Sequence, residues 1–172
     1  SSDLLNLAKK EAGLAALGRV NCNVVDILKE QVDFYLPKAQ AKGVRLELDS
    51  LPDLPPLLAN KQNVEEVLSN LITNAIHYTP EKGEITLSAR PENRSLCISV
   101  SDTGLGIAEE DSDRIFDRFY RVKNEKTRYI IGTGLGLPIV KSIIDAHDGM
   151  IRVESKPDHG STFYVYIPFV TE

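Results

Sequence analysis

The chain has 172 residues, of which 42% are hydrophobic and 26% are charged, and its net charge is -5. These values predict one soluble globular domain with a substantial core. Because basic residues are scattered and not in excess, we expect no nucleic acid partner. Two widely separated cysteines, Cys22 and Cys97, favour neither a disulfide framework nor a zinc site and fit a reducing compartment. No apolar run reaches membrane-spanning length and no signal peptide opens the chain, so we expect a cytoplasmic fragment, whose parent protein can still be membrane-anchored.

Apolar residues at helical spacing predict helices over residues 1–19, 24–41, 61–77 and 135–148, and a short helix within 109–119. The first has little to pack on locally and reads as the tail of a helix from a preceding domain. Pro138 stands in the first turn of the last helix, where proline is favoured. Residues 122–131 have no clear period and are interpreted as a mobile loop.

Alternating apolar residues predict strands over residues 44–48, 84–90, 95–100, 150–154 and 161–167. The turn 91–94 joins the second and third into an antiparallel hairpin, and residues 156–160 join the last two. Residues 51–56 carry three prolines and read as a rigid connector. Mixed helices and antiparallel strands indicate an α+β protein, with one face of a sheet covered by helices.

Asn70, Asn74 and His77 share one face of the third helix, beside its apolar stripe. A solvated outer face is the default interpretation, although Asn forms helices less well than Lys or Glu by about 0.5 kcal/mol. The functional alternative is that the amide oxygens approach phosphates through Mg²⁺, which prefers oxygen ligands. His77 is equally compatible with a phosphate contact and with a plain histidine at a helix end.

Asp102 follows an alternating strand and precedes Gly104 and Gly106. Asp-x-Gly is common in simple turns. As a binding element, a buried carboxylate would accept a hydrogen bond from the exocyclic amine of adenine, whereas guanine offers a carbonyl oxygen there. The glycines would let the backbone approach a ligand closely.

Gly132, Gly134 and Gly136 alternate immediately before the last helix. Backbone amides at a helix N-terminus bind phosphate. The spacing matches neither a Walker loop nor a dinucleotide-binding fingerprint. A flexible connector is the weaker alternative.

These three segments occur in the order and spacing of the ATP-binding catalytic domain of bacterial sensor histidine kinases, which the chain resembles from about Asn21 to Pro168. The resemblance implies the Bergerat ATP-binding fold, a two-layer α/β sandwich whose mixed, mostly antiparallel sheet is covered on one face. It also implies a division into residues 1–20, the end of a dimerisation and phosphotransfer helix bundle with its linker, and residues 21–172, the catalytic domain.

The resemblance implies ATP and Mg²⁺ as cofactors, with Asn74 as the metal ligand and Asn70 beside the phosphates. His77 stands where Lys or Arg is common, and Tyr78 would cover the adenine or ribose. The other implied nucleotide contacts are Asp102, Gly104, Gly106, Ile107, Gly132, Thr133, Gly134, Leu135, Gly136, Leu137 and Thr162. Residues 116–121 resemble the aromatic segment that anchors a lid, in which Phe116 and Phe119 would be core residues and Arg121 would offset charge at the γ-phosphate.

The implied activity is transfer of the γ-phosphoryl group of ATP to a histidine in two-component signalling. Its partners would be a phosphoacceptor helix bundle of the same sensor kinase, which we expect to be a homodimer, and a response regulator receiver domain. Neither His77, His147 nor His159 lies in a phosphoacceptor context, and His147 is expected to be structural. The alternatives are a nucleotide-dependent docking module without transfer activity, an ATP-hydrolysing clamp and a protein-serine kinase of the same fold. In related ATPases a glutamate activates water for ATP hydrolysis. The resemblance places Asn70 at that position, which favours phosphoryl transfer over hydrolysis.

Overall fold

The computed structural model describes residues 18–117, 120 and 136–169. Strand β1 (Val20–Cys22) leads into helix α1 (Val24–Lys42), which is followed by β2 (Arg45–Leu48), β3 (Leu57–Ala59) and helix α2 (Lys61–Tyr78). Strands β4 (Glu84–Glu92) and β5 (Ser95–Asp102) form a hairpin, and a single-turn helix α3 (Glu109–Ser112) comes next. Helix α4 (Gly136–Ala146) precedes the closing strands β6 (Met150–Ser155) and β7 (Ser161–Pro168).

In the part of the chain that the structure describes, the main sheet has five strands in the order β2-β4-β5-β7-β6. Among the described strands, the edge pair β2–β4 is parallel, and the pairs β4–β5, β5–β7 and β6–β7 are antiparallel. Alternate residues of the central strands are buried against helices, among them Leu87, Ile98 and Val165. This arrangement of a mixed, mostly antiparallel sheet with helices confirms the predicted α+β class.

A second, two-stranded sheet was not predicted from the sequence. Strand β1 pairs antiparallel with β3, and Cys22 lies opposite Leu57. Residue 57 directly follows the proline-rich connector, and β1 lies just beyond the predicted first helix, most of which is outside the described residues. The pairing places α1 and α2, which follow these strands, side by side on the sheet.

Helices α1 and α2 begin in the same way. Asn23 and Asn60 are their N-caps, and each side-chain oxygen accepts a hydrogen bond from the backbone N–H three residues later. The two helices end differently. The C-cap of α1 is Gly43 in the left-handed conformation, whereas the C-cap of α2 is Thr79 in an extended conformation. Among the described helices, none is long and apolar enough to cross a membrane.

His147 has the structural role that the sequence predicts. Its ring is buried, its Nδ1 lies 2.9 Å from the carbonyl oxygen of Ile143, and its Nε2 accepts a hydrogen bond from the N–H of Asn60 at 3.2 Å. The ring therefore joins the end of α4 to the start of α2. Burial lowers the pKa of His147, which favours the neutral form that this geometry requires.

Candidate functional site

The polar face of α2 is one wall of the candidate site. Leu71, Ile72 and Ala75 are buried on the apolar side of the helix, while Asn70 and Asn74 are half-buried beside them. Helical periodicity thus produces the partly sheltered position that the sequence predicts for the two amides.

Asn70 connects this wall to the start of α4. Its side-chain N–H donates to the carbonyl oxygen of Glu66 at 2.8 Å, which fixes the orientation of the amide. A Cβ atom built on Gly136 would lie 3.1 Å from the side-chain oxygen of Asn70. The structure therefore brings together the amide oxygen and the last residue of the predicted glycine segment, where a side chain would crowd the contact.

Asp102 is the second element of the candidate site. It is the last residue of β5 rather than a residue after the strand, and it pairs with Ile85 on one side and with Ser161 on the other. It is 8% exposed, and its Oδ1 accepts hydrogen bonds from the backbone N–H groups of Gly104 at 2.8 Å and Ser161 at 3.2 Å. Both bonds from described residues reach the same oxygen, so Oδ2 remains an acceptor for a ligand.

The pKa of Asp102 reflects its burial and its hydrogen bonds. Burial raises the pKa of its carboxyl group, and the two backbone donors from Gly104 and Ser161 oppose that rise. A buried carboxylate with one saturated oxygen gains from a further donor at the other oxygen. Asp102 is therefore chemically suited to accept a hydrogen bond from an amine.

The glycines near Asp102 are required by backbone packing, which differs from the predicted reason of close ligand approach. A Cβ on Gly104 would lie 2.4 Å from the carbonyl oxygen of Tyr78, and one on Gly106 would lie 1.9 Å from that of Lys156. Gly106 also has a φ of 72°. The segment after β5 is thus enclosed between the end of α2 and the turn before β7.

The structure does not bring Thr162 to Asp102. Thr162 pairs with Ser101, and their hydroxyl groups lie 2.8 Å apart. Because side chains alternate along a strand, both point away from the face that carries Asp102 and Phe163. Ser161 occupies the position beside Asp102 instead.

Ser161 belongs to a series of hydrogen bonds that was not predicted from the sequence. Its hydroxyl lies 2.8 Å from that of Ser155, and the Ser155 hydroxyl accepts a hydrogen bond from the N–H of Ile107 at 2.7 Å. Ile107 is half-buried and packs against the core. The chain of hydroxyls fixes the predicted adenine-lining residue relative to Asp102. Ser161 could have been found from the alternation in β7, since it shares a face with buried Phe163.

His77 and Tyr78 lie at the end of α2, and both are half-buried. Burial lowers the pKa of His77, and the charges of Lys38 and Lys42 lower it further. The neutral imidazole is therefore favoured near neutral pH. The carbonyl oxygen of Tyr78 accepts a hydrogen bond from the N–H of Leu105 at 3.1 Å, so the helix end adjoins the segment after Asp102.

Several predicted site residues lie outside the described residues, namely Arg121, Gly132, Thr133, Gly134 and Leu135, together with the predicted mobile loop 122–131. Gly136 and Leu137 begin α4 and are half-buried. Phe116 lies edge-to-face with Phe163 at 6.5 Å between ring centroids, in agreement with its predicted core position. His159 is exposed in the turn between β6 and β7.

Comparison with known proteins agrees with this arrangement. Residues 59–171 match the family of histidine kinase-, DNA gyrase B- and HSP90-like ATPases. The chain belongs to this family. It is 36% identical over 167 residues to the alginate biosynthesis sensor protein KinB of Pseudomonas aeruginosa, an alignment that covers 97% of this chain and 27% of KinB. The chain thus spans about a quarter of that relative.

Solved members of the family have the same fold. The nucleotide-free catalytic domain of histidine kinase ThkA is 30% identical, with a TM-score of 0.75, and the match covers 89% of this chain and 97% of that domain. Full-length ShkA in complex with AMPPNP is 28% identical, with a TM-score of 0.81 over 98% of this chain and 36% of ShkA. ThkA has also been solved with the response regulator protein TrrA. The family predicted from the sequence is thereby confirmed, as is its fold.

Proposed function

We propose that this ATPase-family domain binds ATP with Mg²⁺ and donates the γ-phosphoryl group to a histidine on an adjoining helical domain. The observation that carries the proposal is the buried Asp102 carboxylate, whose Oδ1 holds the backbone while Oδ2 remains an acceptor. The complex of the similar kinase ShkA with AMPPNP supports an adenine nucleotide as the ligand.

Asp102 is the proposed source of base selectivity. The exocyclic amine of adenine would donate to its Oδ2, whereas the corresponding carbonyl oxygen of guanine would be repelled by the carboxylate. Ser161 and Ile107, fixed through Ser155, support the same end of the pocket. Tyr78 lies at the adjoining helix end and is proposed to cover the base or ribose.

The amide face of α2 is the proposed phosphate end. Asn74 is half-buried one turn beyond Asn70, and its neutral oxygen suits Mg²⁺, which keeps several waters and bridges to phosphates. When bound, the ion would offset phosphate charge. The Asn70 oxygen faces Gly136, so phosphates would lie between α2 and the start of α4, whose N-terminal amides favour anions. Residues 132–137 and Arg121 are proposed to complete this end.

Phosphoryl transfer requires positioning and charge stabilisation more than covalent chemistry by the protein. We propose that the acceptor histidine belongs to a helix bundle whose end, together with its linker, is residues 1–20, in a homodimeric sensor kinase. His147 is used in packing, so it is not available as an acceptor. A response regulator receiver domain is the proposed next acceptor, by analogy with the ThkA–TrrA complex.

The test uses two separate measurements. Calorimetry should detect ATP binding in the presence of Mg²⁺ and markedly weaker GTP binding. In a second experiment, γ-³²P-ATP should label a separate helix bundle that carries the acceptor histidine, but not this chain alone. Stoichiometric self-labelling of the isolated chain would contradict the missing acceptor, and absence of ATP binding would refute the whole proposal.

A docking module that binds nucleotide without transfer is the second candidate. The observation that favours it is the lowered pKa of His77, since a neutral ring grips phosphate less firmly than Lys or Arg. ATP binding without any labelling of an acceptor bundle would select this candidate. Hydrolysis of ATP without an acceptor would select a clamp ATPase instead.

A further inference from the structure

The last turn of α2 ends without a left-handed glycine cap. Helix α1 is closed by Gly43 in the left-handed conformation, but α2 passes into extended backbone at Thr79. The final carbonyl groups of a helix lack partners within the helix, and a glycine cap normally supplies some. The carbonyl groups at the end of α2 must therefore be satisfied from elsewhere.

Lys42, the last residue of α1, supplies that cap. Its ammonium group donates to the carbonyl oxygen of Ile76 at 2.6 Å and to that of His77 at 2.8 Å. A positive charge also complements the negative end of the helix dipole. Next to it, the carbonyl oxygen of Gly43 accepts a hydrogen bond from the N–H of Lys82 at 2.8 Å, which ties the loop after α2 to the same corner.

The third terminal carbonyl group connects this corner to the aspartate loop. The carbonyl oxygen of Tyr78 accepts a hydrogen bond from the N–H of Leu105 at 3.1 Å, and Gly104 packs directly on the same oxygen. Gly104 in turn donates to Asp102. The last turn of α2 therefore contains His77 and Tyr78, and its backbone holds the segment after Asp102 in place.

We propose that Lys42 is a positioning residue of the nucleotide site, which holds the last turn of α2 so that His77, Tyr78 and the Asp102 segment keep their relative placement. Lys42 itself need not touch the nucleotide, because two of its three N–H donors are engaged on the carbonyl groups of Ile76 and His77. The inference rests on the proposed function, since the placement matters only if this corner receives ATP.

The test compares Lys42→Met, which keeps the aliphatic chain, with Lys42→Arg, which restores a cationic donor. Lys38→Met is the matched control, because Lys38 also places a charge near His77 and is one helical turn earlier on α1. We expect Lys42→Met to weaken Mg²⁺-ATP binding by about five- to tenfold, Lys42→Arg to recover most of it, and Lys38→Met to change it by less than about twofold.

A second readout separates positioning from general stability. Amide exchange measured by NMR in the nucleotide-free chain should accelerate at Leu105 in Lys42→Met, because its acceptor Tyr78 is loosened, while core amides such as Val100 keep their protection. Uniform acceleration across the chain would overturn the proposal in favour of a global effect. Equal losses in Lys42→Met and Lys38→Met would overturn it in favour of simple charge attraction.

The outcomes also separate this inference from the proposed function. If the unmodified chain binds ATP and Lys42→Met binds it equally well, only the role of Lys42 is refuted. If the unmodified chain binds no ATP, the proposed function fails, and the positioning role fails with it.

Discussion

Replacing Asp102 with Asn tests the proposed adenine contact directly. The amide oxygen of Asn can keep the position of Oδ1 and continue to accept the N–H groups of Gly104 and Ser161. The amide nitrogen then takes the place of Oδ2 and presents a donor where the carboxylate presented an acceptor. The substitution is therefore expected to spare the fold and to remove base recognition.

The magnitude follows from the type of bond that is lost. A hydrogen bond to a charged group contributes about 1.5–3 kcal/mol, and each 1.4 kcal/mol is about a tenfold change in affinity. We expect ATP affinity, measured by calorimetry with Mg²⁺, to fall by about 10- to 100-fold in Asp102→Asn. GTP should lose much less or gain, because the new amide can donate to the guanine carbonyl oxygen.

Two further variants define what would refute this reasoning. Asp33→Asn removes an exposed carboxylate from α1 and should leave nucleotide binding unchanged. Asp102→Ala should lose binding and also about 2–4 kcal/mol of stability, because two buried N–H groups lose their acceptor. A folded Asp102→Asn variant that binds ATP within about twofold of the unmodified chain would show that the carboxylate does not read the base.

Other predictions concern the metal, the glycine turn and pH. Asn74→Ala should lower ATP affinity roughly tenfold with Mg²⁺ but little in EDTA, as measured by calorimetry. Gly106→Ala should cost roughly 2 kcal/mol or more in urea unfolding, because its φ is 72° and the new Cβ would lie 1.9 Å from the Lys156 oxygen. Burial lowers the pKa of His147, so the stability contributed by its neutral ring is complete above about pH 6.5 and is lost as pH falls through the lower folded-state pKa. Urea unfolding at about pH 7.5 and about pH 5.5 should show this loss, and it should diminish in His147→Gln, which cannot gain a proton.

The sequence predicted the main elements well because their signals are local. Alternation in β4, β5 and β7 and helical spacing in α2 place the same residues in the core that the structure buries. The two-stranded sheet of β1 and β3 was missed since each strand has three residues, too few to show alternation. Its pairing joins residues far apart in sequence, and local patterns carry no information about such pairing.

The candidate site was predictable in its residue types and less so in its contacts. Asn70 is half-buried beside the apolar stripe of α2, Asp102 is buried at the end of β5, and Gly136 lies against Asn70. Strand parity puts Ser161 beside Asp102, whereas Thr162 lies opposite Ser101. The packing of Gly104 on the Tyr78 carbonyl group depends on how two distant segments meet, and no local pattern reveals it.

The two ends of the candidate site are built by different means, and this difference bears on mechanism. The proposed adenine end is held by backbone donors and paired strands, since Asp102, Ser161 and Ser155 stand at strand ends whose register is fixed by the sheet. The proposed phosphate end consists of half-buried amides on α2, and the side chain of Asn70 is oriented there by a hydrogen bond to the Glu66 carbonyl oxygen of its own helix. On the proposed function, a base site built into the sheet would hold adenine without reorganisation, whereas amides on one helix would need phosphates and a cation to complete their coordination. Base selection would then be a property of the fold, and the phosphate geometry would be completed only when the nucleotide binds.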